Sequence, residues 1–346
     1  MKLLFSWYSP THGDGEYIGS KDPKFEGANY ILQNAIEAEK ANFDSILIPT
    51  GPTCTDSFIT ATHIASLTKK IKPLIAVRPG FIAPSVAAKM VATLDIISNG
   101  RVSLNIVTGG SPIELAMDGD FVEHDKRYER TDEFIEVMKR VWLDDSFSFE
   151  GNYFHTENTK IPVKPIQNPY PKLYLGGSSE SALKVAVKHI DTYLMWGEPV
   201  EKIKEQITKI KLQSNQSLRF GMRINLIVAD TETEAWEKAE EMLANVSKHN
   251  NDYLNKYLAN SDSTALQRIQ SLRGKVFDDP CYWTGMVPYR SGNSTALVGS
   301  SEQIIDSLKK YMEAGITEFI FSSYPHLETV SYIGDKIIPA LKYQNA

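Results

Sequence analysis

Cysteine is scarce. Cys54 and Cys281 are the two in 346 residues, and neither sits in a CxxC pair or a zinc-ligand spacing. A disulfide framework is thereby excluded, and a reducing compartment, the cytoplasm, suits two lone thiols. Long apolar runs are missing too, so nothing in the sequence is long enough to span a bilayer. The opening stretch Met1–Tyr8 is apolar but short, and Pro10 ends it; it reads as a first strand rather than a signal peptide. Runs of Lys and Arg and interleaved basic and aromatic residues are absent, and the formal charge is −6. Nucleic acid and membrane are therefore not expected partners. The histidines and carboxylates fall into no metal-binding spacing, so no metal is expected.

What is present is a large core: 42% of the residues are apolar and 23% charged. Short β-rich segments alternate with helical ones. The strands are read at Lys2–Ser9, Asp44–Pro49, Lys72–Arg78, Val102–Val107, Lys172–Leu175, Thr192–Met195, Leu218–Val228 and Thr317–Ser322. Helices are expected at about Asn29–Ala41, Ser57–Thr68, Tyr128–Leu143, Thr231–Ser247 and Ser301–Ala314, among others, and a hairpin around Gly151-Asn152. Eight strands each followed by a helix predict an α/β fold, a single (β/α)8 barrel over residues 1–346. The stretch 250–295 reads as an irregular insertion, and one this long is expected to be an active-site lid.

Chemically capable residues gather after the strands, where such a barrel builds its site. Gly176-Gly177-Ser178-Ser179 opens a helix, and its glycines and free N–H groups suit a phosphate, that of flavin mononucleotide (FMN) being one candidate. A tight turn with an N-capping serine would read the same way. Arg78, Arg223 and Arg290 are placed to meet at the barrel mouth, where guanidinium forks suit an oxyanion, although any one of them alone also fits a structural ion pair. Arg223 lies within an apolar strand, where a charge requires a specific partner, and Asn225 shares its face. Trp196 suits the wall of a flat pocket, or plain packing. His12, His326 and Tyr324 are candidate proton-handling groups, each equally readable as structural, while Cys54 reads first as packing.

These segments together resemble the alkanesulfonate monooxygenases of the bacterial-luciferase-like flavin family. The resemblance is carried by Ser9-Pro10-Thr11-His12-Gly13-Asp14-Gly15, Ile48–Asp56, Thr93-Leu94-Asp95, Ser98–Arg101, His124 with Arg127-Tyr128-Glu129, and Leu173–Ser179. It continues through Trp196–Pro199, Phe220–Arg223, Thr295–Gly299 and Ser323–Glu328. The resemblance implies a barrel that takes reduced FMN from a separate NAD(P)H-dependent reductase and uses O2 to cleave the C–S bond of an organosulfonate, releasing aldehyde and sulfite. It also implies a homodimer or homotetramer. By the same resemblance His12, Cys54, Trp196, Arg223, Arg290, Tyr324 and His326 match active-site positions. Asp56, Asn105, Thr108, Tyr128, Ser178 and Ser179 match the flavin-contacting set, and Gly177 of the same turn is a further cofactor-binding candidate. The segment holding Arg290 matches a mobile loop that closes over the flavin. Asn225 stands where the family usually has histidine, and an amide cannot exchange a proton near neutral pH. That departure keeps open another organosulfur substrate such as a sulfosugar or sulfone, a deazaflavin-dependent oxidoreductase, and a silent flavin-binding paralogue.

Overall fold

The computed structural model describes residues 2–342 apart from 19, 21, 23, 25, 215, 216 and 247–251. In chain order the first elements are β1 (Leu4–Tyr8), α1 (Gly27–Lys40), β2 (Ser45–Ile48), α2 (Ser57–Leu67), β3 (Lys72–Val77), α3 (Pro84–Ile97) and β4 (Ser103–Ile106). Next come α4 (Pro112–Met117), α5 (His124–Leu143), the hairpin β5 (Phe147–Glu150) and β6 (His155–Thr159), β7 (Leu173–Gly176), α6 (Glu180–His189), β8 (Thr192–Trp196) and α7 (Val200–Gln213). The last third holds β9 (Arg219–Ala229), α8 (Glu232–Val246), α9 (Asp252–Asn260), α10 (Thr264–Gln270), β10 (Tyr282–Trp283), β11 (Ala296–Ser300), α11 (Ser301–Ala314), β12 (Glu318–Ser322), α12 (His326–Lys336) and α13 (Ile338–Lys342).

Strands β1, β2, β3, β4, β7, β8, β9 and β12 pair in parallel in that order, and β12 returns to β1, closing the eight-stranded barrel expected from the alternation of strands and helices. The period-two pattern sorts their side chains. Phe5, Ile46, Ile48, Ile75, Leu104, Leu173, Phe319 and Phe321 belong to the large apolar layer shared with the surrounding helices. Their neighbours Tyr8, Leu47, Leu74, Tyr174 and Ile320 form a separate small cluster with Leu194. Side chains two apart share a face, so the same inward parity carries Arg78, Asn105, Trp196 and Arg223 toward the upper end of the barrel. At the lower end Glu318 is buried and takes hydrogen bonds from Arg219 Nε at 2.5 Å and Thr192 Oγ1 at 3.2 Å. A charge paired in this way plugs the base without stranding a carboxylate in the core.

Two devices prepare the last strand. Ser300 and Gln303 cap α11 reciprocally, and Gly315, at φ +113°, ends it in a left-handed turn that a side chain would strain. Strand β9 is long. Its first part pairs with β8, Trp196 lying opposite Arg223, and where β8 stops, β11 continues along β9 with Ala296 opposite Asn225. The stretch expected to be irregular contains α9 and α10, the short strand β10, which pairs with β11 just beyond it, and a 3-10 turn at Val287–Tyr289. Its first residues, like Ser247 of the expected helix, lie outside the described residues. Short helices joined by polar turns carry too few apolar repeats to stand out in a sequence. Among the described residues no helix is long and apolar enough to cross a membrane.

Candidate active site

The strand ends converge on a cavity of about 310 Å3. Arg78, Asn105, Ser178, Trp196 and Arg223 all line it, from five different strands or the turns that follow them. Helix α5 adds Tyr128, and the turns add Thr108 and Gly177. The inserted segment closes one side with Tyr257, Leu266, Ser291 and Gly292.

The Gly176–Ser179 turn is tightly built. An added Cβ on Gly177 would lie 2.7 Å from the Tyr128 hydroxyl and 2.8 Å from Ala182 Cβ, so only glycine lets the chain pass here. Tyr193 donates to the Gly177 carbonyl. Ser179 caps α6, its Oγ accepting from Ala182 N at 3.1 Å. Burial pushes the Tyr128 phenol up, against the hydroxyls of Thr108 and Ser179 beside it. Ser178 is the serine that faces the cavity.

The cationic wall is the second feature. Arg223 lies with its guanidinium 3.9 Å from the centre of the Tyr8 ring, and its Nε has no hydrogen-bond partner. Burial lowers the Arg223 pKa and raises that of Tyr8, each partly offset by the other. Arg78 is buried, donates to Glu114 and lies 3.7 Å from Asp118, yet its Nε lacks a partner. On the neighbouring strand the Asn105 Oδ1 is equally unmatched. Unmatched donors and acceptors around one cavity are what a polar ligand supplies. Cys54 stands near Arg78, and burial pushes its thiol up, which argues against a resident thiolate.

A layer behind Tyr8 lies a buried pair that residue type alone did not connect. His326 is fully enclosed, its Nδ1 lies 3.0 Å from Asp14 Oδ1, and its backbone N–H donates to Asp14 Oδ2 at 2.8 Å. Tyr30 donates to the same carboxylate at 2.6 Å. Burial drives the Asp14 carboxyl up, but the His326 imidazole and these hydrogen bonds outweigh it and hold it below the usual carboxylate range. The His326 Nε2 is left without a partner. Tyr324 packs edge-on to that imidazole at 4.6 Å and accepts a hydrogen bond from Arg290. His12 Nδ1 is 3.5 Å from the Tyr8 hydroxyl. Tyr8 thus links Arg223, His12 and His326 into one cluster, while Arg290, Tyr324, His326 and His12 stand behind the cavity wall rather than on it.

Two sequence candidates have other tasks. Asp56 is exposed and caps α2 through Ile59 N at 2.8 Å. Asn225 does not reach the cavity. Its amide donates to the Thr295 carbonyl at 2.8 Å and the Asn293 carbonyl at 3.2 Å, and its oxygen accepts from Ser322 Oγ at 2.7 Å. It ties the lead-in of β11 over the barrel end. Asp14, Tyr8, Tyr30 and Glu114 went unassigned on sequence; Asp14 was visible only as part of the His12–Gly15 loop. Among the described residues no group of three His, Cys, Asp or Glu side chains is placed to hold a metal ion.

Residues 3–318 match the family model described as luciferase-like monooxygenase. Among solved structures, a riboflavin lyase holding a modified FMN and riboflavin is 18% identical with a TM-score of 0.79, over 100% of this chain and 92% of its own. A long-chain alkane monooxygenase is 19% identical with a TM-score of 0.77, over 100% and 92%. EDTA monooxygenase from Chelativorans sp. is 16% identical with a TM-score of 0.76, over 100% and 95%.

Proposed function

The chain belongs to the luciferase-like monooxygenase family, and from that premise we propose that it is a two-component monooxygenase that uses reduced FMN and O2 to desulfonate an alkanesulfonate. The observation that carries this reading is the meeting of Arg223, Trp196 and Ser178 on one cavity. A glycine–serine turn at a helix start suits the FMN phosphate, and the unmatched Asn105 Oδ1 beside Thr108 and Tyr128 suits the polar edge of the flavin. The residues present therefore fit the cofactor. Reduced FMN, supplied by a partner NAD(P)H-dependent reductase, provides when bound the two electrons that O2 activation requires.

The chain's own residues do the rest. Arg223, buried and with a free Nε–H, holds the sulfonate and offsets negative charge that develops beside it. Trp196 walls the alkyl part. The inserted segment, through Tyr257 and Leu266, keeps water out while the reaction proceeds. Asp14 holds His326 against the rings of Tyr8 and Tyr324 behind the cavity wall, and Tyr324 or His326 is the group that takes the proton lost from the carbon bearing sulfur. One oxygen atom of O2 enters the aldehyde and the other leaves as water; sulfite departs with the pair of electrons of the broken C–S bond.

A second copy of the chain is the partner best suited to the outer face of α2 and α3. Ile59, Leu67, Val86, Ile96 and Ile97 are all exposed on these two helices, and exposed apolar side chains gathered on one face suit an interaction surface. The test of the function is sulfite release from a panel of alkanesulfonates with FMN, NAD(P)H and a flavin reductase. Release from at least one supports the proposal. No sulfite from any of them, with reduced FMN demonstrably bound, rejects it.

A further inference from the structure

We propose that Arg268, on α10 of the inserted segment, is a ligand of the flavin phosphate, so that the phosphate end of the cofactor rather than its ring reinforces this wall of the cavity. The inference rests on the FMN reading above and extends it to a residue that no motif marked.

Arg268 reaches from the insertion across to the barrel. Its Nε lies 3.1 Å from both carboxylate oxygens of Glu198, and its Nη2 lies 2.6 Å from Glu198 Oε1. Glu198, just past β8, is 1% exposed, so its charge needs this cation. The same Nη2 donates to Gln206 Oε1 and to Ser178 Oγ, each at 2.9 Å. Ser178 is where two cavities meet: the one between the strand ends and a second, of about 400 Å3, bordered by Arg268, Glu198, Tyr193 and Lys202. A flavin whose ring lies by Asn105 and whose tail passes Ser178 would bring its phosphate to this junction.

The guanidinium is suited to serve both sides at once. Nε and Nη2 are committed to Glu198, while Nη1 has no hydrogen-bond partner among the described residues. A phosphate oxygen can therefore be taken on Nη1 without releasing the buried carboxylate. Lysine, with one point charge, would have to choose between them. Leu266 and Ala265, on the same helix, line the main cavity, so a phosphate that fixes Arg268 also fixes the wall.

The test compares FMN with riboflavin, which lacks the phosphate, by quenching of tryptophan fluorescence in the full-length protein. Wild type should prefer FMN. Arg268→Gln should weaken FMN about 10- to 100-fold, the worth of one charge-assisted hydrogen bond, and move riboflavin by less than about threefold. Because the single variant strands Glu198, the Glu198→Gln/Arg268→Gln double variant is measured beside it and should show the same selective loss. FMN, but not riboflavin, should protect residues 252–270 of the wild type from limited proteolysis, and neither variant should be protected. Parallel weakening of both ligands, or unchanged FMN binding, would overturn the assignment while leaving the flavin reading intact. Binding of neither ligand by the wild type would remove both.

Discussion

Asn225 separates two accounts of the barrel end, and its replacement decides between them. If it is a tie, its removal costs stability before it costs chemistry. Asn225→Asp keeps the shape but turns a donor pair into an acceptor facing the carbonyls of Thr295 and Asn293. Two hydrogen bonds are lost, at about 1 kcal/mol each, and the buried carbonyls add a desolvation cost of about 1–3 kcal/mol. A loss of about 3–5 kcal/mol is expected. With a urea m-value of about 3 kcal/mol/M, the midpoint falls by about 1–1.7 M. Asn225→His is milder, because a neutral imidazole can still donate to one carbonyl and accept from Ser322. The assay is equilibrium urea unfolding with m held constant across the three proteins, paired with flavin binding. An Asn225→Asp protein of unchanged midpoint that had lost its activity would refute the reasoning, because Asn225 would then be acting on ligand.

Three further outcomes follow from the geometry. The folded-state pKa of Asp14 is depressed, so its ionisation contributes stability that is present above the unfolded pKa of about 3.9 and is lost as pH falls through the folded value. The gap in urea midpoint between wild type and Asp14→Asn should be wide at neutral pH and shrink on acidification; a gap independent of pH would contradict this. Gly177→Ala forces a methyl to within 2.7 Å of the Tyr128 hydroxyl, so FMN affinity should fall at least about tenfold, and unchanged quenching titrations would count against the turn as a cradle. Leu67→Glu together with Ile97→Glu should lower the mass seen by light scattering to that of one chain without changing the circular dichroism, and a wild type already of one-chain mass would exclude a second copy on that face.

The barrel was legible because its strands obey a simple rule. In β2, β3, β7 and β12, alternate side chains are shared between an inner cluster and the outer layer, and this leaves a period in the sequence. Arg223 could be singled out because a charge between Met222 and Ile224 has no bland explanation. The partners could not. Asp14 and His326 are 312 residues apart, and Arg268 and Glu198 are 70 apart, so only closure of the chain brings them together. Asn225 misled for a related reason. Parity correctly placed it inward, but it says nothing of the Asn293–Thr295 backbone that covers it. The inserted helices α9 and α10 were hidden by their shortness and polar faces.

The central claim is that one cavity receives both the flavin and the sulfonate, and a crystal structure with FMN and a short alkanesulfonate tests it most directly. The account predicts the phosphate beside Ser178, the ring against Asn105, and the sulfonate on the Arg223 guanidinium next to Trp196. A sulfonate bound away from Arg223, or a flavin lying outside the strand ends, would contradict it.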